Sequence, residues 1–251
     1  MFSVQTVRSS RPEYTSFEIE SIEQLLPVSR EWSHGYAHHD LSGIPEAAPG
    51  RLAFGPMKLF AIETIAAGHG YSLHQHANVE VMTLVLEGTV LHRDSVGGET
   101  RLCAETVAVM SAGRGVSHAE YADVDRACRV IQIMLKSRSV DREPRAEHRI
   151  VPRSERSGRF RALASGRRCD ADSNALYIDQ AAALLSCRFD AGTRQQYHIE
   201  PGRIAYLMSV DAAIVVGGTL VRAGERVLVR CAGTLDIEAC GATEVVVLDM
   251  I

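Results

Sequence analysis

The chain reads as an all-β protein built from two tandem sandwich or barrel units, and three observations lead there. Short apolar runs bounded by Gly and Asp clusters recur about every ten residues from Met57 onward, the rhythm of short strands joined by tight turns. Across residues 137–159 this gives way to Arg and Glu interrupted by Pro144 and Pro152, the composition of a solvated connection. Beyond it the rhythm resumes and the second half looks like a divergent copy of the first. A shift of 122 residues lays Gln196-Tyr197-His198 over His74-Gln75-His76, and residues 204–208 over 82–86. The resulting division is an N-terminal domain at 1–140, a charged linker at 141–160 and a C-terminal domain at 161–251.

In chain order, residues 1–30 have mixed periodicity and could form a short strand or a helical turn, while 35–55, rich in Gly, Pro and His, reads as a long loop. Strands are predicted at 59–65, 81–86 and 89–92, with Glu87-Gly88 turning between the last two. Gly97-Gly98 marks a further turn at 94–99, Gly113-Arg114-Gly115 a tight turn before His118, and 129–135 another strand. In the second half the apolar runs are 182–189, 204–210, 213–216, 226–229 and 244–248.

Composition narrows the function classes. The 251 residues carry a net charge of −4, with no Lys/Arg face interleaved with aromatics that would suit nucleic acid. No 18-residue apolar run offers a membrane span, and the first residues lack the basic-then-apolar layout of a secretion signal. Six cysteines without C-x-x-C spacing read as reduced thiols, so the expected location is cytoplasmic. G-x-S-x-G, P-loop and G-x-G-x-x-G motifs are absent from the sequence.

The sharpest chemical signal lies between Gly68 and Glu120. Alternate side chains of a strand share a face, so His74 and His76 stand together, roughly 7 Å apart along the strand. The same parity joins His118 and Glu120 on a second segment. Three imidazoles and a carboxylate brought together by two strands would make a mononuclear metal site. His34, His38, His39, His69, His92, His148 and His198 have no comparable pattern and read as structural or solvated. A donor set without thiolate suits one divalent ion among iron, zinc, nickel, copper and manganese. Four protein ligands on an ion that prefers six leave two positions open, which favours Fe(II). No histidine follows His198, so the second half reads as a copy without a metal site. A purely structural metal would more often be held in a closed tetrahedral site by thiolates.

Gly68-x5-His74-x-His76-x3-Glu80 followed by Gly88 resembles the first cupin motif, and Gly115-x2-His118 the core of the second. Within cupins, H-x-H-x3-E, LEGTVLHRDS, MSAGRGVSHAEY and Trp32-Ser33-His34-Gly35 resemble the pirin family, strongly over about residues 30–150. The resemblance implies a bicupin of two jelly-roll β-barrel domains. It also implies a metal, iron above all, held by His74, His76, His118 and Glu120. Two departures are Gln75, where the family places Pro, and Val79, where it places Phe or Met. Glu80 sits one residue out of the usual cupin ligand register, which puts Val81 in that slot, so Glu80 reads as a supporting or structural carboxylate.

Two function classes follow from the resemblance. As an enzyme like the pirin-type quercetin 2,3-dioxygenases, the protein would take a small aromatic substrate and O2. Glu120 would be the catalytic base that accepts the flavonol hydroxyl proton, before the ring opens with loss of carbon monoxide. As a binding module, it would present a metal-dependent surface to a protein partner. A monomer without nucleic-acid or membrane partners is expected in either case. A roomy apolar pocket would favour the enzyme and a closed site the module.

Overall fold

The computed structural model describes residues 5–7, 17–20, 26–30, 33–39, 55–230 and 232–251. Each half pairs a small sheet with a large one. The small sheet of the first barrel runs β6 (Gly70–His76), β11 (Val116–Ala122), β8 (Thr89–Asp94), β9 (Gly98–Cys103). Its large sheet runs β13 (Arg145–Ile150), β10 (Thr106–Ser111), β7 (Val79–Glu87), β12 (Cys128–Lys136), β5 (Met57–Ile65), β4 (Ser33–His39), β3 (Leu26–Arg30). In the second barrel the small sheet is β17 (Arg194–Ile199), β22 (Gly233–Ala239), β19 (Ile214–Val216), β20 (Thr219–Val221). The large one is β1 (Gln5–Val7), β2 (Phe17–Glu20), β21 (Arg226–Val229), β18 (Ile204–Ser209), β23 (Thr243–Met250), β16 (Ala183–Phe189), β14 (Arg161–Ser165), β15 (Leu176–Tyr177). The small sheets correspond strand for strand, and the large ones correspond from β10 to β4 and from β21 to β14 but differ in the strands that flank them, so the halves are copies in their central topology.

Three boundaries differ from the expectation. The stretch 141–160 is not a free linker: β13 pairs with β10, and Arg156, on a 3-10 turn, is buried against Glu244 and Ser186. Charged side chains suit β13 because it is an edge strand with one exposed flank. Nor does 1–140 fold wholly into the first barrel, because β1 and β2 extend the second barrel's sheet through β21. The predicted loop at 35–55 begins as β4, paired with β5, while its part at 40–54 lies outside the described residues.

The barrels pack large sheet to large sheet. Phe60, Met82, Leu84, Ile131 and Ile133 from the first meet Tyr206, Met208, Val246 and Leu248 from the second, with Phe60 edge-on to Tyr206 at 5.3 Å. Alternation then sends the other faces of the same strands into the two interiors. The second interior is one apolar cluster that includes Leu185, Tyr197, Ile199, Leu207, Leu235, Ile237 and Val247. In the first, three smaller clusters, around Val85, Leu102 and Val130, around Val81, Met110 and Val116, and around Leu59 and Ala61, leave the middle to polar groups.

Registers refine the internal repeat. His118 pairs with His74 as Leu235 does with Tyr197, and Glu120 pairs with His92 as Ile237 does with Val216. The strand β17 is therefore offset by 123 (74 to 197), not 122, and His198 points outward, exposed. Tyr197, Ile199, Leu235 and Ile237 stand where the first barrel has His74, His76, His118 and Glu120.

Candidate metal centre

The strands β6 and β11 carry the predicted donors inward, and a β-bulge aims them. Between the pairs His118–His74 and Glu120–Tyr71, Ser72 and Leu73 lie opposite Ala119 alone. The extra residue lets both Tyr71 and His74 face the interior although they are three apart. It also turns the Ser72 carbonyl onto His74 Nδ1 at 2.8 Å, which leaves Nε2 facing the site. Gly70 is required here, since a Cβ would run into the Glu120 carbonyl oxygen. The predicted turn before His118 is present, with Gly113 and Gly115 at φ of 46° and 148°.

Ligand atoms of His74, His76 and His118 all lie within 4.8 Å of one another. Ring centroids are 4.3 Å apart for His74–His118, 5.0 Å for His76–His118 and 4.9 Å for His74–His76. Buried His118 has no hydrogen-bond partner at either ring nitrogen. An unpaired buried polar atom is costly, and a metal ion is what three converging imidazoles with such an orphan would accommodate. Burial pushes the His118 pKa down to about 4, and burial next to His74 lowers that of His76. Both are thus neutral, the ligating form, at physiological pH.

Glu120 is buried next to this triad, with a carboxylate oxygen within 4.8 Å of a His118 ring nitrogen. Its Oε1 faces His92 Nδ1 at 3.3 Å, and its Oε2 accepts from Gln132 Nε2 at 2.6 Å. Despite burial, the hydrogen bond from His92 and the charge of His118 keep the carboxyl below its ordinary pKa. A second group of donors within 4.8 Å of one another is His92, His118 and Glu120. His92 was set aside in the sequence because it lacks the paired pattern of the other donors, and its link to Glu120 is made across strands. The alternation Val90-x-His92-x-Asp94 was the available sign that it faces inward. Its Nε2 meets Asp94 Oδ2 at 3.0 Å, and Asp94 Oδ1 accepts the backbone N–H groups of Val96 and Gly97.

Two further carboxylates are structural. Glu80 shares the parity of Met82 and Leu84, faces away from the histidines, and accepts from Ser111 and Ser137. Glu63 holds Ser33 Oγ at 2.8 Å and Tyr71 OH at 2.5 Å. Burial, with Glu120 nearby, pushes the Cys128 thiol up to about 11, and Cys128 belongs to neither group of converging donors. The described cysteines are all free, and no helix among the described residues is long and apolar enough to cross a membrane.

A cavity of about 200 Å³ reaches Glu120, His92 and Asp94 between walls that include Val81, Leu102 and Met110, with His148 of β13 at its side. This is below the roughly 300–1,000 Å³ of pockets that enclose drug-sized ligands. The arrangement is neither the roomy flavonol pocket nor the closed site that the sequence reading set against each other.

Comparison with known proteins agrees with this architecture. The Pirin family model matches residues 38–135, and the quercetinase C-terminal cupin domain matches 164–250. A "Putative quercetin 2,3-dioxygenase" of Pseudomonas aeruginosa is 35% identical over 220 residues, covering 87% of this chain and 94% of that protein. A pirin-like protein of Caulobacter vibrioides is 31% identical over 218 residues, covering 86% and 93%. The chain belongs to the pirin family. Among solved structures, the pirin YhhW of Escherichia coli in complex with nickel(II) matches with a TM-score of 0.82 at 22% identity, covering 93% of this chain and 98% of that one. As in other pirins the fold is a bicupin. Among the described residues its metal-type clusters lie in the first barrel only.

Proposed function

We propose that this pirin-family protein is a metal-dependent dioxygenase of the quercetin 2,3-dioxygenase type, acting on a flavonol or a related enol or phenol. The convergence of His74, His76 and His118, with both His118 nitrogens orphaned, next to an ionised Glu120 on a cavity carries this reading. An ion held there, Fe(II) in this proposal, would make a coordinated hydroxyl acidic and supply the redox capacity for O2 chemistry. Glu120 accepts the hydroxyl proton, and His92 and Gln132 orient its carboxylate for that transfer. Val81, Leu102 and Met110 give the ring an apolar wall. The small volume favours compact substrates, or one ring of a larger one.

A second reading, a metal-responsive module in a cytoplasmic monomer that binds a protein partner, draws on the outer face of the same strands. Leu73, Leu91, Ala119 and Tyr121 line an open groove there, and they alternate with the inward-facing histidines and Glu120.

The deciding measurement is oxygen uptake by anaerobically prepared, Fe(II)-loaded protein with quercetin and with single-ring enols and phenols, beside Glu120→Gln. Uptake with loss of substrate absorbance, at least about 100-fold weaker in the variant, is expected of a general base. No uptake with one iron bound per chain would exclude the dioxygenase and favour the module.

A further inference from the structure

Most of the molecule's polar clusters are explained by the fold. Asp249 is satisfied by Arg167, Arg203 and Tyr197, and the Arg156–Glu244–Ser186 group ties the 3-10 turn to the second barrel. The edge strand β13 is different, because it turns one polar ring toward a cavity and gives it no partner among the described residues.

We propose that small phenols enter the first barrel between its edge strands β9 and β13, and that His148 is a specificity-determining residue there. It binds an oxygen substituent, hydroxyl or carboxylate, on the far side of the ring from the reacting hydroxyl. This rests on the dioxygenase reading above and names its substrate class. Three observations carry it. First, β9 ends the small sheet and β13 the large one, and two registers turn their side chains into the same space. Thr100 pairs with His92, and His148 with Ala108; all four line the cavity that reaches Glu120. Second, that cavity joins solvent to the carboxylate. Its inner end is buried Glu120 and Asp94, its outer end exposed His148, and Gly97, Ala108 and Ala146 carry too little side chain to close it. Third, the charged neighbours of His148 on β13 have the opposite parity and are engaged elsewhere. Arg145 donates to the Tyr177 carbonyl, Arg149 to the Asn174 carbonyl, and Glu147 pairs with Arg145 at 3.1 Å. No described residue holds the His148 ring by a hydrogen bond or ion pair.

The chemistry of the two ends differs. Glu120 and Asp94 make the inner end acidic, which suits a hydroxyl that gives up its proton and disfavours an anionic substituent. Such a substituent belongs at the outer end, where the imidazole offers a donor to either kind of oxygen. The volume of about 200 Å³ suits a single ring with its two substituents at opposite ends.

Binding of three phenols that differ only in the para substituent tests the proposal. The full chain as purified is titrated calorimetrically with p-cresol, hydroquinone and 4-hydroxybenzoate, without oxygen so that no turnover intervenes. Hydroquinone and 4-hydroxybenzoate should bind at least about 5-fold more tightly than p-cresol, the worth of one added hydrogen bond. His148→Ala should remove that preference and leave p-cresol unchanged, an effect that general loss of structure would not produce. His148→Asp should reject 4-hydroxybenzoate while retaining hydroquinone. Ala146→Phe, which narrows the passage, should weaken all three. Equal affinities in the parent, or a preference that survives His148→Ala, would overturn the role of His148. Unchanged affinities in Ala146→Phe would overturn the route, and no binding of any phenol would overturn both. Oxygen uptake by the Fe(II)-loaded chain is read separately: uptake without a His148 effect leaves the dioxygenase standing, and a His148 effect without uptake leaves a phenol-binding site that is no dioxygenase.

Discussion

The two barrels differ most where their backbones agree best. At matched registers of the small sheets, the first has His74, His76, His118 and Glu120, and the second has Tyr197, Ile199, Leu235 and Ile237. On the large sheets, Glu63 and Gln132 correspond to Leu185 and Asp249. A jelly roll thus tolerates either filling. An apolar interior stabilises through burial, whereas a polar one must satisfy each group with a partner or an ion. The second barrel keeps an inward anion, Asp249, and closes it off with Tyr197, Arg167 and Arg203. The first leaves His118 without a partner.

The largest effect should come from forcing the first filling into the second barrel. Leu235→His places an imidazole among Tyr197, Ile199 and Ile237 with no partner designed for it, and should cost about 3–5 kcal/mol of stability by urea unfolding. A loss below about 1 kcal/mol would show that the second interior accommodates polar groups as readily as the first.

Acid should separate the interiors next. His118 titrates near 4 in the folded chain and near 6.5 when unfolded, so between these values the unfolded chain binds more protons. Its contribution is therefore present above pH 6.5 and lost as pH falls toward 4, by about 3 kcal/mol at most in metal-free protein. His76 acts in the same direction. His92 opposes it: although burial pulls its pKa down, hydrogen bonding and charge from Glu120 and Asp94 raise it overall. Its contribution is present below its unfolded pKa and lost as pH rises through the folded one. His118→Leu should flatten the acid slope, abolish metal binding and, at neutral pH, stabilise the metal-free chain by about 1–3 kcal/mol through removal of the orphaned nitrogens. Unfolding followed from pH 7 to 4 checks both.

A similar loss, about 1–3 kcal/mol, should follow Tyr197→Phe, which leaves Asp249 one donor short. An unchanged stability would mean that Arg167 and Arg203 alone satisfy it.

How far this contrast could be read in the sequence depends on the range of the signal. The pairs His74/His76 and His118/Glu120 were legible because strand parity is local, and the absence of any histidine after His198 was legible by inspection. The site's supporting residues were not. His92 meets Glu120 only through the β8–β11 register, and Tyr71 faces inward only because the bulge breaks parity. The strand β13 looked like a linker because an edge strand tolerates charge. The repeat offset slipped because connections of unequal length separate the strands: β17 is displaced by 123 from β6 (74 to 197), but β22 by 117 from β11 (118 to 235).

The smallest expected effects lie on the outer faces of the small sheets. The second barrel covers its outer face with cross-strand polar pairs: Arg194–Glu238 and Gln196–Asp236, both at 2.7 Å, and His198–Thr234 at 3.1 Å. The first presents exposed Leu73 and Tyr121, with Gln75–Ser117 at 3.3 Å. Exposed ion pairs contribute little, so Arg194→Ala should change stability by less than about 0.5 kcal/mol. Leu73→Lys should be as mild, because its side chain is 70% exposed and buries little apolar surface. It should also leave metal content unchanged, since parity points residue 73 away from His74. Loss of metal in Leu73→Lys would show that the bulge at Ser72 and Leu73 couples the two faces of β6. A molecule docked outside the barrel could then act on the ligands inside it.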